Sequence, residues 1–193
     1  MNPKSSKETI LNEALVIFGK LGFHKTTMAD IANASNRGRR TIYTHFKTKE
    51  EVYEAVVERE IDKILLTLKS KMESYDSIDE KLSQYINYRI SSIIQLTKQY
   101  DALKEAFVNN YSWVEKIRKK LDEEEKIMLT QLLRNGSETS YFRIENLDIA
   151  VKNSSLIIKG FEFMLIKEDT HETTLDQINN LQKLLLNGLK TRK

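Results

Sequence analysis

Proline occurs once in the 193 residues, at position 3, and glycine only six times. Proline breaks helix interiors, and glycine weakens them by about 1 kcal/mol. A chain this poor in breakers folds by default into long helices. β-branched residues are present but do not form alternating runs bounded by turn residues, so strands are not indicated. Helix starts are marked instead. The capping-box pattern, Ser or Thr followed three residues later by Glu or Gln, occurs at Ser5/Glu8, Thr48/Glu51, Ser77/Glu80, Ser112/Glu115 and Thr174/Gln177, with Thr27/Asp30 a weaker version.

Apolar periodicity extends each start into a helix. A first helix over 5–21 carries Ile10, Ala14, Leu15, Phe18 and Leu21 on one face, with Gly22 as a left-handed C-cap. A second over 27–34 buries Met28, Ile31 and Ala32, and a third over 38–44 directs Ile42 and Phe46 inward. A long fourth runs from 48 to about 75. Further segments cover 78–97, 103–110, a stretch from Val114 that ends near Asn135-Gly136, 146–166 and 174–190. In the 146–166 segment the apolar face is taken as Ile149, Ile157, Phe161 and Leu165. The expectation is an all-α protein of about nine helices, with a small N-terminal unit over 1–50 and a helical body over 51–193.

Composition narrows the function. Hydrophobic residues make up 40% and charged residues 31%, enough to build a core without disorder dominating. Cysteine is absent, which excludes disulfides and thiolate metal sites. The polar start, MNPKSSKETI, lacks the apolar stretch of a signal peptide, and no apolar run reaches the ~18 residues of a membrane span. A cytoplasmic protein without a membrane partner is expected. Charge is unevenly spread: residues 1–50 hold nine Lys/Arg against four Asp/Glu, and the remainder 22 against 24. A basic N-terminal quarter on a slightly acidic body suits a polyanion-binding head.

Catalysis finds little support. His24, His45 and His171 lack metal-ligand spacing, and no Gly-rich phosphate loop follows a strand. Asp122-Glu123-Glu124-Glu125 reads as a solvated charge run. No enzyme, cofactor or metal is expected.

The segment from Thr26 to Lys49, TTMADIANASNRGRRTIYTHFKTK, carries the most information. It reads as two short helices joined by a turn, then the start of a third. No acidic residue lies between Ala34 and Lys49. Asn36 marks the turn, since Asn tolerates a left-handed backbone, and Gly38 adds freedom at the next helix start. A short, basic, exposed helix braced by a neighbour fits the major groove of DNA.

These residues resemble the tetracycline-repressor (TetR) family of transcriptional regulators. The matching features are Ile10, Ala14, Phe18, Gly22 and Thr26/Thr27, then Asp30-Ile31-Ala32-Asn33-Ala34, then Thr41-Ile42-Tyr43-Thr44-His45-Phe46-Lys47-Thr48-Lys49-Glu50, over about the first 55 residues. Departures fall in the turn: Asn36 stands where the family commonly has Gly, Arg37 where it has an apolar residue, Gly38 where it has Ser or Thr, and Arg40 where it often has Gly. The resemblance implies a helix-turn-helix head, a helical effector-binding body, a homodimer built on the last two helices, and a double-stranded DNA operator released by a small-molecule effector. Repression is favoured over activation. Carried over residue by residue, Arg39 and Arg40 reach base edges or phosphates, and Thr41 and Thr44 reach thymine methyls or phosphates. Tyr43 matches the family's phosphate-contacting tyrosine. His45 either approaches the backbone or sits on the surface. Lys49, in the first turn of the fourth helix, addresses a phosphate, and Thr26 or Thr27 caps the second helix and touches phosphate. Arg37 adds attraction or folds into the turn.

In the body, Leu156–Ile166 and Leu181–Leu189 hold more apolar surface than one internal face needs, which a two-fold four-helix interface would bury. Tyr85, Tyr88, Phe107, Tyr111, Trp113 and Phe161 either line an effector cavity or form plain core. Arg89 is either a counter-ion for an acidic ligand or a surface or salt-bridged arginine.

Overall fold

The computed structural model describes residues 3–99, 104–105, 112–168 and 174–190; the side chains at 3–5, 99, 112–115, 117 and 174 lie outside the description. Eight α-helices occur among the described residues: α1 (Pro3–Lys25), α2 (Met28–Ala34), α3 (Arg39–His45), α4 (Lys49–Glu73), α5 (Ile78–Gln99), α6 (Ser112–Glu138), α7 (Leu147–Glu168) and α8 (Thr174–Leu189). No strand forms among them; the one extended contact is an isolated antiparallel bridge between Phe142 and Lys190. The helix expected over 103–110 falls largely outside the described residues. No described helix is long and apolar enough to cross a membrane.

Two compact units emerge, Met1–Asp62 with Leu96–Ile117, and Lys63–Gln95 with Arg118–Lys193. The division does not follow a cut at residue 50. At 25 residues, α4 is about 38 Å long, and its first half packs into one unit and its second half into the other.

In the first unit, Ile10, Leu11, Ala14 and Phe18 of α1, Ile31 of α2, Ile42 of α3 and Val52, Tyr53, Val56 and Val57 of α4 are all buried. Leu21, expected on the buried face, is 44% exposed, and Leu11 takes the inward position. The backbone breaks at Gly22 (φ 77, ψ 161), a conformation open essentially to glycine alone. The φ is positive as a C-cap requires, but the extended ψ turns the chain outward before a last turn to Lys25. Phe23, just past the break, meets Tyr53 with ring centroids 5.0 Å apart, and Phe18 meets the same ring at 4.8 Å, both edge-on. Arg59 fastens α4 to α1 by donating to Asn12 Oδ1 at 2.8 Å and facing Glu8 at 3.4 Å.

In the second unit, α6 does not stop at Asn135-Gly136 but continues to Glu138. Its end is a Schellman turn: Ser140 N–H donates to Ser137 O at 3.0 Å and Tyr141 N–H to Gly136 O at 2.9 Å, with Ser140 itself at φ 57. Gly136 serves close packing rather than termination. A Cβ built there would sit 2.6 Å from Phe142 Cε2 and closer still to Cδ2, and the Phe142 ring is buried. From Phe142 the chain bridges to the end of α8, where Arg143 N–H donates to Leu189 O at 2.7 Å and Lys190 Nζ reaches Asp79 of α5 at 2.6 Å.

The buried face of α7 differs from the expected one. Val151, Ser154, Ile158, Glu162 and Leu165 point inward, whereas Ile149, Leu156, Ile157 and Met164 are exposed. The helix is apolar on two sides, so periodicity alone does not pick the inner one. On α8, Ile178 and Leu181 are buried and Leu184 is 71% exposed.

The charge run Asp122–Glu125 is not uniformly solvated. Asp122 pairs with Lys159 at 2.6 Å and Glu124 with Lys69 at 2.7 Å, but Glu125 is buried. One helical turn places four consecutive residues around the whole circumference, so one acid of the run must face inward.

Gly136→Ala is expected to destabilise the protein by about 1–2 kcal/mol: overpacking costs about 1–3, offset by at most about 1 of helix propensity. Combining it with Phe142→Leu should recover part of the loss. Urea denaturation of the two variants tests this; an Ala variant as stable as the parent would rule out the close-packing role.

Candidate nucleic-acid interface

The exposed element of the first unit is α3, and everything around it is local bonding that holds it in place. Thr27 (φ −116, ψ 161) is the N-cap of α2. Asp30 N–H donates to its hydroxyl at 3.2 Å, and the Asp30 carboxylate accepts from Thr27 N–H at 2.9 Å and from the Thr27 hydroxyl at 2.7 Å. The capping box is therefore complete, although Asp stands where Glu or Gln is usual. The Thr27 side-chain and backbone hydrogen bonds hold the Asp30 carboxyl below its ordinary value of 3.8.

Thr26 is corrected. It is buried, and its hydroxyl donates to Gly22 O at 2.7 Å. Of the two neighbouring threonines, only the one in extended backbone directly before the helix aims its oxygen at the first-turn amides. Thr26 instead closes the end of α1 and cannot reach a ligand.

The end of α2 is a full Schellman turn. Asn36 N–H donates to Asn33 O at 3.1 Å and Arg37 N–H to Ala32 O at 3.0 Å. Asn36 occupies the left-handed position at φ 49, as its residue type suggested. Gly38 does not use glycine's freedom: at φ −62 and ψ 144 it has a conformation open to any residue. As N-cap of α3 it offers no side-chain bond.

On α3, Ile42 is fully buried, and Phe46 just beyond it is buried too. They anchor one side. Arg39, Arg40 and Thr44 are exposed, Tyr43 is 53% exposed, and Thr41 and His45 are half-buried. Arg37 is half-buried at the turn. The Thr44 hydroxyl donates back to Arg40 O at 2.9 Å, which leaves its methyl and oxygen lone pairs outward. The helix thus presents two guanidinium groups, a phenol and a threonine on one open side.

Lys49, expected at a phosphate, is half-buried in the first turn of α4. Its ammonium donates to the carbonyls of Phe23 at 3.0 Å, His24 at 3.1 Å and Thr26 at 3.2 Å. Glu51, which the sequence offered only as the partner of Thr48, does something further. Its N–H donates to Thr48 Oγ1 at 3.2 Å, while its carboxylate accepts from Lys47 N–H at 2.6 Å, one residue before the expected amide.

Of the residues expected around an effector, Tyr85, Tyr88, Arg89 and Phe161 are described. Arg89, 1% exposed, bonds the Glu125 and Glu162 carboxylates, and Tyr85 donates to the same Glu125 oxygen at 3.3 Å. Arg118 approaches Glu162 at 3.8 Å. Burial alone would lower the Arg89 pKa, but the two facing carboxylates drive it above its ordinary value. Burial pushes Glu162 up against the pull of Arg89 and Arg118, and burial with Glu125 pushes the Tyr85 phenol well up. Arg89 is therefore one member of a buried ion network and not an open counter-ion. Tyr88 and Phe161 are half-buried, with Lys71 Nζ 5.4 Å from the Tyr88 ring centroid. Phe107 and Tyr111 lie outside the described residues, as does the Trp113 side chain. Grooves of about 350 and 590 Å³ on the second unit are lined by other residues: Met72, Ile127 and Leu132 in the first, Lys119, Lys152 and Leu156 in the second.

Thr27→Ala should raise the Asp30 pKa toward 3.8 by removing the hydroxyl donor. A lowered native pKa stabilises the fold above the ordinary value, and the benefit disappears as pH falls through the native one. The variant should therefore lose stability at neutral pH and show a smaller loss near pH 3. Titration of the Asp30 carboxyl by NMR checks this, and an unmoved midpoint would refute the capping assignment.

Residues 10–56 match the family model for bacterial regulatory proteins, tetR family. The uncharacterized HTH-type transcriptional regulator YfiR of Bacillus subtilis is 31% identical over 94 residues, 45% of this chain and 45% of that protein. The biofilm operon icaADBC HTH-type negative transcriptional regulator IcaR of Staphylococcus aureus is 26% identical over 123 residues, 61% of this chain and 66% of IcaR. The chain thus aligns with about half to two thirds of the length of these curated relatives. Solved structures extend the likeness in fold alone. A transcriptional regulator from Cytophaga hutchinsonii superposes with TM-score 0.81 at 20% identity, covering 95% of this chain and 98% of that one. FadR from Bacillus subtilis in complex with stearoyl-CoA superposes with TM-score 0.74 at 17% identity, covering 94% and 98%. With a capped two-helix element at the matched positions and the fold shared along the chain, the N-terminal part of this protein is similar to the TetR family of bacterial regulators.

Proposed function

We propose that this protein is a ligand-responsive, sequence-specific DNA-binding repressor. The observation that carries the reading is the open side of α3, where Arg39, Arg40, Tyr43 and Thr44 project while Ile42 and Phe46 anchor the opposite side. An Arg fork matches guanine O6 and N7 and supplies about 1–3 kcal/mol of base discrimination. Tyr43, Thr41, His45 and Thr27 serve phosphates in this reading, with Arg37 adding attraction at the turn. IcaR, a negative transcriptional regulator, supports repression.

A homodimer through α7 and α8 completes the reader. The exposed Ile149, Leu156, Ile157 and Met164 of α7 and Leu175 and Leu184 of α8 form the apolar surface such an interface buries. Two heads then address half-sites one helical turn or a multiple apart. The body, residues 51–193, takes a small-molecule effector that releases the operator. Tyr88 and Phe161 are candidates to contact it. FadR with its bound stearoyl-CoA makes long-chain acyl-CoA the first compound class to test.

Selection of bound fragments from random DNA tests the reading, and absence of any enriched sequence would defeat it. Arg39→Ala with Arg40→Ala should abolish preference for the selected duplex, while circular dichroism stays unchanged because both side chains are exposed. In sedimentation the protein should run near twice 22.5 kDa; Leu156→Glu with Leu184→Glu should shift it to the monomer, and a wild-type monomer at micromolar concentration would remove the dimer from the proposal.

A further inference from the structure

Glycine in a helix interior costs stability, and it is the residue that lets another backbone come close. Gly136 has such a close neighbour within the chain, the Phe142 ring. Gly160 of α7 and Gly188 of α8 do not. Beyond the chain neighbours and the helix's own backbone, a Cβ built at either position meets no described atom within 4 Å. Both positions are exposed. Gly160 also stands in the bare apolar face of α7. Ile149, Asn153, Leu156, Gly160 and Met164 follow at spacings of three or four with Ile157 beside them, all exposed and on the side away from the buried Val151, Ile158 and Glu162. On α8, the exposed Leu184 precedes Gly188 by one turn. Ile149 and Gly188 line one groove of about 500 Å³ between the start of α7 and the end of α8, so the face of α7 continues onto α8.

We propose that Gly160 is the point of closest approach between two copies of this chain. A helix of the second copy crosses α7 there, with Leu156, Ile157 and Met164 closing around the crossing. This rests on the homodimer proposed above and names the residue that sets its helix separation. A second copy is the occupant this face suits. A two-fold contact sets a surface against itself, so a charge near its centre would meet its like. The six residues of the face carry none, and Asn153, its polar member, both donates and accepts. Near the axis each residue also meets its own copy, so bulk at the centre would hold the helices apart. The side chains at a contact set helix separation within about 8–10 Å. A glycine ringed by Leu, Ile and Met is a notch between knobs, a shape that is its own complement.

Sedimentation equilibrium of wild type, Gly160→Ala and Gly160→Leu over a concentration series tests this. Wild type should be a dimer. Alanine favours helix over glycine and meets nothing in its own chain, so the monomer gains from it, whereas a paired interface is overpacked once in each copy. The dimer dissociation constant should therefore rise about tenfold or more in Gly160→Ala, and Gly160→Leu should run as a monomer at micromolar concentration. Circular dichroism of both variants should keep the helix content of wild type, which separates a lost partner from a damaged α7. The proposal is overturned if either variant dimerises as tightly as wild type, if Gly160→Ala tightens the dimer, or if the dimer weakens only together with a loss of helix. A dimeric wild type with unaffected variants keeps the dimer reading and loses the crossing alone. A monomeric wild type leaves the face to another occupant and removes the dimer reading and this inference together. If Gly160→Leu does not fold, Gly160→Ala decides alone.

Discussion

A seven-residue helix does not persist alone in water, and the first unit is organised around two of them. Both α2 and α3 have that length, and both ends of α2 are closed by specific bonds. The capping box of Thr27 and Asp30 begins α2, and the Schellman turn through Asn36 ends it. Ile42 and Phe46 press α3 onto the core. The first turn of α4 then holds the chain before α2 and after α3. With its backbone and apolar side committed in this way, α3 can leave a fully polar side open. Side chains such as Arg39 and Arg40 need no partner within the fold, so they remain available to a ligand.

The second unit meets the opposite problem, charge enclosed in a core. Arg89, Glu125 and Glu162 come from three different helices, α5, α6 and α7, and all are buried. Taking such groups out of water costs several kcal/mol each, and mutual attraction returns it only when geometry is good. An apolar core slides more easily between alternative packings than a core in which one guanidinium must meet two carboxylates. The network therefore joins α5, α6 and α7 through one guanidinium. Loss of a single partner would strand the others in low dielectric.

The same unit shows how a helix can have two apolar sides for two purposes. Val151, Ile158 and Leu165 of α7 fill the interior, while Leu156 and Met164 lie on the surface. Exposed apolar area of this kind, continued on α8 by Leu184, is what an association surface requires. Open polar side chains on one unit and a bare apolar face on the other are the two features that the proposed paired DNA reader needs.

Helix extents were legible in the sequence because they are set locally. The scarcity of proline and glycine, the period of Ile and Leu, and the hydroxyl-acid starts placed all eight described helices within a few residues. Asn36 in a left-handed turn and the exposed Arg39-Arg40 pair were equally legible, since turn chemistry and the polarity of a short segment depend on near neighbours. Contacts between residues distant in the chain decided the rest. Which of two adjacent threonines faces inward, whether Lys49 turns to solvent or to the end of α1, and which acid of a four-residue run is buried all depend on groups tens of residues away. So do the choice of inner side on α7 and the need for a bare Cα at Gly136 under the Phe142 ring. Periodicity states that a helix has an apolar side; only the packed neighbours determine where that side points and which charges must go with it.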